Sequence, residues 1–393
     1  MVNQALEKLS KMAIFKMSLG SKELFHSNFL EFLWEINNIS FIKLINQLYG
    51  EDILSSDKGV GYYMLGREKN HFDICIFHQE WKKKKNGEDY KNATIVYDVI
   101  LENKVKSIPD KDQLVSYNQK SQTNTKYILL SLMENFENKD DINNNGWKIV
   151  SYDNLSKAIK CCYNDTNSYI SDYCEFISTL HCLQKDIVPE DFYFLQQTLY
   201  PAYREYNMYR LHDLYIKCRG LKFIELLKKK LDEKKISYEF VKESGESLRR
   251  KRREKQNQDP DVYLNWNVFN AEGQIAVFIH KGGYEIYEIV IQGAQSLQYR
   301  HGINYVIERD GKYNSLDKDK KNSQSLIWDK VKSCEFMQGF KYPDKNKEHC
   351  GYDTDYIYRY NKVAEKEYGV NIESLLNHMV DDIEYFVKKF KCK

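Results

Sequence analysis

The sequence predicts an α/β chain: a mixed sheet flanked by helices over residues 1–153, a helical segment over 154–235, and a C-terminal α+β domain over 236–393. Three observations carry that prediction. An N-terminal stretch of helical periodicity leads into three runs rich in β-branched and aromatic residues, then a Pro-initiated helix and further apolar runs. From about Asn154 to Glu233 the texture is helical, and from Ile236 it changes to alternating runs separated by Gly-containing turns.

In chain order, apolar residues recur at helical spacing from Leu6 to Met17, and Gly20 closes that segment. Ser21 is a fitting N-cap for a second helix through Trp34. A third helix covers about Phe41 to Leu48 and stops at Gly50. Two strands, Val60 to Arg67 and Phe72 to Gln79, flank the polar turn Glu68-Lys69-Asn70. The run from Asn92 to Lys104 reads as a buried strand with charge at its tip, and Pro109 opens a helix in which Gln113 and Tyr117 lie one turn apart. Lys126 to Leu132 and Trp147 to Tyr152 are further strands. In the helical segment Pro201 suits a first turn and Gly220 a C-terminal cap. Beyond it, Val262 to Val268 and Ile275 to Ile279 begin an antiparallel meander, and Ile372 to Phe390 mark an amphipathic helix capped by Asn371.

A chain of 393 residues with 42% hydrophobic and 30% charged content can bury sizeable cores, and 5 Pro and 18 Gly leave little room for long linkers. Net charge is only +2, so any nucleic-acid binding must rest on local patches. Nine cysteines without C-x-x-C pairs, no signal-peptide-like start and no membrane-length apolar run lead to the expectation of a cytoplasmic protein with free thiols and no membrane partner. No phosphate-cradling glycine loop is present, which excludes a P-loop motor.

The charged tip supplies chemistry. Side chains alternate along a strand, so Glu102 and Lys104 share a face while Asn103 points away. Asp73 lies inside the apolar run Phe72 to Phe77, where an acid is costly unless paired or holding a metal. Phosphodiester hydrolysis needs a positioned water and neutralisation of charge on phosphate, and Mg²⁺ prefers a few carboxylates plus waters. Asp73, Glu102 and the backbone carbonyl of Asn103 are the candidate metal ligands. Lys104 would orient water or phosphate, and Glu23, near His26 on the preceding helix, would complete the acidic cluster. Taken singly, a Glu-x-Lys arises by chance in so charged a chain and an exposed strand-end ion pair explains it, while a structural acid near a turn accounts for Asp73 as well as a metal ligand does.

The ordered set resembles the PD-(D/E)xK nuclease superfamily, within it the group whose first helix carries Glu-x-x-His-Ser. Here that signature is Glu23-Leu-Phe-His26-Ser27, followed by Asp73, Glu102-Asn103-Lys104 and Gln113-Leu-Val-Ser-Tyr117. Phe72 stands where the superfamily's name has Pro. The resemblance spans residues 20–152 and implies a restriction-endonuclease-like mixed sheet, dependence on Mg²⁺ or Mn²⁺, and cleavage of nucleic acid. It makes Glu23, Asp73, Glu102, Lys104 and Gln113 the expected catalytic set, with DNA as the expected substrate, restriction or anti-phage defence as the setting, and His26 and Tyr117 as expected nucleic-acid contacts.

The run Arg249-Arg250-Lys251-Arg252-Arg253 is a candidate phosphate-contacting arm, with a solvated loop as the alternative, and Lys82 to Lys85 stand likewise. Tyr203, Tyr206 and Tyr209 fit helix packing better than base stacking. Cys161, Cys162, Cys174, His181 and Cys182 lack zinc-site spacing. The runner-up function is a catalytically inactive nucleic-acid-binding or protein-interaction module that keeps the nuclease fold. A homo-oligomer seam on the terminal helix, or a defence-system partner protein, completes the expected partners.

Overall fold

Residues 4–17 form two helices where periodicity predicts one: α1 (Gln4–Lys11) and α2 (Ala13–Met17) are separated by Met12, whose backbone is extended. The computed structural model describes residues 4–18, 23–58, 61–81, 93–136, 138–163, 167–187, 201–240, 260–269, 272–281, 284–293, 297–304, 306–309, 312–315, 354–359 and 372–391. Ser21, Asn371, Lys82–Lys85 and Arg249–Arg253 lie outside them. Two compact units result, Met1–Ile187 with Glu205–Tyr215, and Val188–Arg204 with Ile216–Lys393.

In the first unit, α3 (Glu23–Ile36) is followed by α4 (Asn38–Tyr49). Asn37 caps α4 by accepting from the Ser40 amide, and Gly50 ends it at φ 93°, a conformation that glycine takes without a side-chain penalty. Apolar alternation then builds β1 (Met64–Lys69), β2 (Phe72–Trp81) and β3 (Ala93–Lys104) as an antiparallel meander. The helix α5 (Lys111–Lys120), capped by Asp110, crosses to β4 (Lys126–Ser131), parallel to β3. A short α6 (Lys139–Asn144) leads to β5 (Trp147–Ser151), parallel to β4. The result is a mixed five-stranded sheet in the order β1-β2-β3-β4-β5, flanked by helices. Phe72 is fully buried with its ring edge-on to Tyr97 and Tyr117, so it occupies a core position.

The first boundary differs from the one the sequence predicts at 153/154. Next come α7 (Tyr152–Cys162) and α8 (Ser168–Asp186), both of which belong to the first unit. The reason is packing: Tyr152, Leu155, Tyr173 and Phe176 are wholly buried, α7 lies on α8 and α4, and α8 lies on α1. A helical texture shows that a segment is helical without showing which core it covers.

Beyond α9 (Pro201–Met208), α10 (His212–Glu233) runs straight through Gly220, which corrects the expected cap there. The apolar face carried by Phe223, Ile224, Leu227 and Leu231 is buried, and that outweighs the roughly 1 kcal/mol an interior glycine costs a helix. Tyr206 is buried against Tyr215 and Tyr209 lies near Phe15, as expected of packing residues.

The second unit holds a six-stranded sheet. Its strands are β6 (Tyr238–Phe240), β7 (Val262–Phe269), β8 (Glu272–Lys281), β9 (Tyr284–Gly293), β10 (Leu297–Asn304) and β13 (Thr354–Arg359) in the order β13-β10-β9-β8-β7-β6. The hairpin of β11 (Val306–Arg309) and β12 (Lys312–Ser315) forms its own two-stranded sheet beside β9. The strands β7 to β10 make the predicted antiparallel meander, and β6 joins it in parallel. The terminal helix α11 (Ile372–Lys391) packs on β8 and buries Leu376, Met379, Ile383 and Phe386. Among the described residues no helix is long and apolar enough to cross a membrane.

Candidate functional site

The end of β3 keeps its ladder to β4 while its side chains change character. Val99, Ile100 and Leu101 are core residues, and Glu102, Asn103 and Lys104 continue in register opposite Leu129, Leu130 and Ser131. Alternation puts Glu102 and Lys104 on one face, and Lys104 Nζ lies 2.8 Å from Glu102 Oε1. The glutamate side chain is only 2% exposed and the lysine 11%, so this pair is desolvated and not the surface ion pair that would explain Glu-x-Lys trivially.

The adjacent strand delivers Asp73. Pairing of Ile74 with Leu101 sets the register, and the backbone amide of Asn103 donates to Asp73 Oδ2 at 2.7 Å. The first turn of α3 brings Glu23, whose carbonyl accepts from Asn103 Nδ2 at 3.0 Å. From α5, Gln113 Nε2 donates to Glu102 Oε1 at 3.2 Å and to the Tyr117 hydroxyl at 2.8 Å. That hydroxyl in turn donates to the carbonyl of His71 at 2.9 Å. Glu23, Asp73, Glu102, Lys104 and Gln113 thus gather at one end of the mixed sheet.

Negative charge exceeds positive charge here. Burial, opposed by the Asn103 amide and by Lys104, pushes Asp73 up to about 6, with Glu23 and Glu68 adding repulsion. Burial and then the charge of Asp73 push Glu102 up to about 7 against the pull of Lys104. Burial works against the Lys104 ammonium, yet the charge and hydrogen bond of Glu102, with Glu23 and Asp73 behind, leave it above the ordinary lysine value. Among the described residues, Glu23 Oε1 and Glu102 Oε2 are buried without a hydrogen-bond donor. Such oxygens are expensive unless a proton or cation reaches them. Among the described residues, no three His, Cys, Asp or Glu side chains form a ready metal cage.

Two residues expected to touch nucleic acid are placed elsewhere. His26 is wholly buried: its Nδ1 is 3.0 Å from the Tyr173 hydroxyl and its ring stacks on Phe176. Burial drives its pKa down to about 3, so it is a neutral core histidine with no face open to a substrate. Tyr117 is likewise buried and positions Gln113 from behind. For Asn103 the sequence points to the backbone carbonyl, whereas the structure also employs the amide and the side chain. The Oδ1 atom accepts from the buried Tyr152 hydroxyl, so this one residue ties β3 to α3, to α7 and to Asp73.

Sequence reasoning missed Tyr152, Tyr173, Glu68 and His71. Tyr173 comes from a helix outside the expected nuclease segment, and Tyr152 opens a helix where the sequence predicts the end of a strand, so neither leaves a local signal. His71 lies in the β1–β2 turn and Glu68 just before it, between Arg67, which pairs with Ile74, and Lys69, which pairs with Phe72, so strand spacing could have shown Glu68 near Asp73. Comparison of the chain with protein families, with curated proteins and with solved structures gives no match.

Proposed function

We propose that this chain is a metal-dependent nuclease, hydrolysing phosphodiester bonds in DNA, with a restriction-endonuclease-like first unit of the PD-(D/E)xK type and a place in restriction or anti-phage defence. The observation that carries this reading is the meeting of Asp73, Glu102 and Lys104 at the end of a mixed sheet, with carboxylate oxygens left buried and unpaired beside them. The donor set fits a hard cation that keeps several waters, because Asp73 is close enough to push the Glu102 pKa up while the described acids do not close into a cage. Asp73, Glu102 and the Asn103 carbonyl would hold Mg²⁺ or Mn²⁺. A bound cation would stabilise charge on the phosphate and lower the pKa of a coordinated water.

The protein's own groups have distinct tasks. The Asn103 amide fixes one oxygen of Asp73, leaving the other free. Gln113 and Lys104 share Glu102 Oε1 and leave Oε2 available. The Lys104 ammonium, protonated at neutral pH, can donate a hydrogen bond to the attacking water or a phosphate oxygen. Glu23 extends the acidic cluster, which would repel a polyanion in the absence of a cation.

The test is cleavage of labelled DNA and RNA panels with Mn²⁺, Mg²⁺ or EDTA, comparing wild type with Asp73→Asn, Glu102→Gln and Lys104→Gln. The expected result is metal-dependent cleavage lost in all three variants, each checked for folding. Cleavage that survives in all three would sink the assignment, and binding without cleavage by the wild type would favour the inactive-module reading.

A further inference from the structure

The hairpin between β1 and β2 closes with a two-residue loop, Asn70-His71, between the paired residues Lys69 and Phe72. Both loop residues are left-handed, with φ of 55° and 71°, and Glu68 just before them lies at 54°. Loops of this kind favour Asn first and Gly second, because a side chain at positive φ crowds its own backbone. Asn70 follows that preference and its side chain bonds the Tyr97 hydroxyl. His71 departs from it.

Nothing in the fold asks for an imidazole there. The protein holds His71 through its carbonyl, which accepts from Tyr117, and any residue offers a carbonyl. The residue is exposed, and among the described residues its ring has no hydrogen-bond partner. A strained backbone carrying an unused polar ring is a pattern found where a side chain is kept for a ligand. The loop is also tied to the acidic cluster: the Tyr117 hydroxyl joins it to Gln113, Gln113 to Glu102, and Asp73 follows two residues later. Glu68 comes just before the loop and Asp73 just after it, acids that a polyanion meets unfavourably, so a nitrogen donor on this loop has an evident use.

We propose that His71 contacts the substrate of the nuclease site, donating an imidazole N–H to a backbone phosphate beside the scissile bond. The inference rests on the nuclease reading. His71→Gly is the informative variant, because glycine relieves the left-handed backbone while removing the ring. Its melting temperature should rise, whereas its Kd for a fluorescein-labelled DNA and its KM with Mn²⁺ should increase about fivefold to tenfold, with kcat nearly unchanged. His71→Asn, which tolerates positive φ and keeps an N–H donor, should restore part of the loss. Unchanged Kd and KM in His71→Gly would overturn the proposal whichever way stability moves. Cleavage by wild type but not by Lys104→Gln keeps the nuclease reading independent of that result. Binding without cleavage removes that reading while Kd still reports on His71, and a wild type that neither binds nor cleaves removes both.

Discussion

Lys104 Nζ and Glu102 Oε1 sit 2.8 Å apart at a strand end where solvent reaches neither side chain freely. Gln113 adds a second donor to the same carboxylate oxygen, and Asp73 and Glu23 press negative charge on it. Half of a buried pair is worse than none, because the remaining charge loses its partner without regaining water.

Lys104→Ala should therefore destabilise the metal-free protein by about 2–4 kcal/mol above pH 7. The glutamate's pKa stands above its ordinary value, so its carboxylate is protonated at pH 5 and the cost should shrink there. Glu102→Gln combined with Lys104→Ala should recover part of the loss, since the uncompensated charge is gone. Urea unfolding of the four proteins at pH 5 and pH 8, treated as a double-mutant cycle, gives the coupling directly. Additivity at both values would show that the two side chains do not share a desolvated environment.

Asn103 makes three links with one residue, and each partner is placed to feel its loss. Tyr152→Phe leaves Asn103 Oδ1 buried and unpaired, which should cost about 1–3 kcal/mol. Asn103→Ala orphans both the Tyr152 hydroxyl and a bond to the Glu23 carbonyl, so it should cost more. Because that bond fixes the start of α3, cleavage by Asn103→Ala should fall further than its folded fraction predicts. Equal losses of activity and folded fraction would make Asn103 a stability residue alone.

The mixed sheet and its acids were legible because alternation is local: Ile74 and Leu101 pair, so Asp73 and Glu102 meet at the same end. The Gln113 to Tyr117 bond follows just as directly from a four-residue step on α5. Tertiary cover was not legible. His26, three residues after Glu23, shares the neighbourhood that helix spacing predicts, but α8 arrives from about 150 residues on and seals it beneath Tyr173 and Phe176. The short α6, with its Asn-rich Lys139–Asn144 sequence, carries neither the length nor the propensity that would announce a helix.

That seal gives His26 a signature in acid. Its folded pKa of about 3 lies below the ordinary 6.5 because burial opposes the charged ring. The native state thus keeps it neutral while the unfolded chain takes up a proton below pH 6.5. The stability it contributes is complete above that pH and is lost as the pH falls toward 3, at about 1.4 kcal/mol per unit for one proton. Asp73 and Glu102, with raised values, slope the opposite way over the same range, and the buried His181, also lowered, slopes with it. The difference between wild type and His26→Phe cancels those shared contributions. Phe in place of His26 also strands the Tyr173 hydroxyl, which adds an offset that does not change with pH. Chemical unfolding from pH 7 to pH 4.5 should therefore show wild type losing about one proton's worth of stability more than the variant. Parallel curves would mean that His26 is reached by water, and would reopen the face of α3 that burial closes to a substrate.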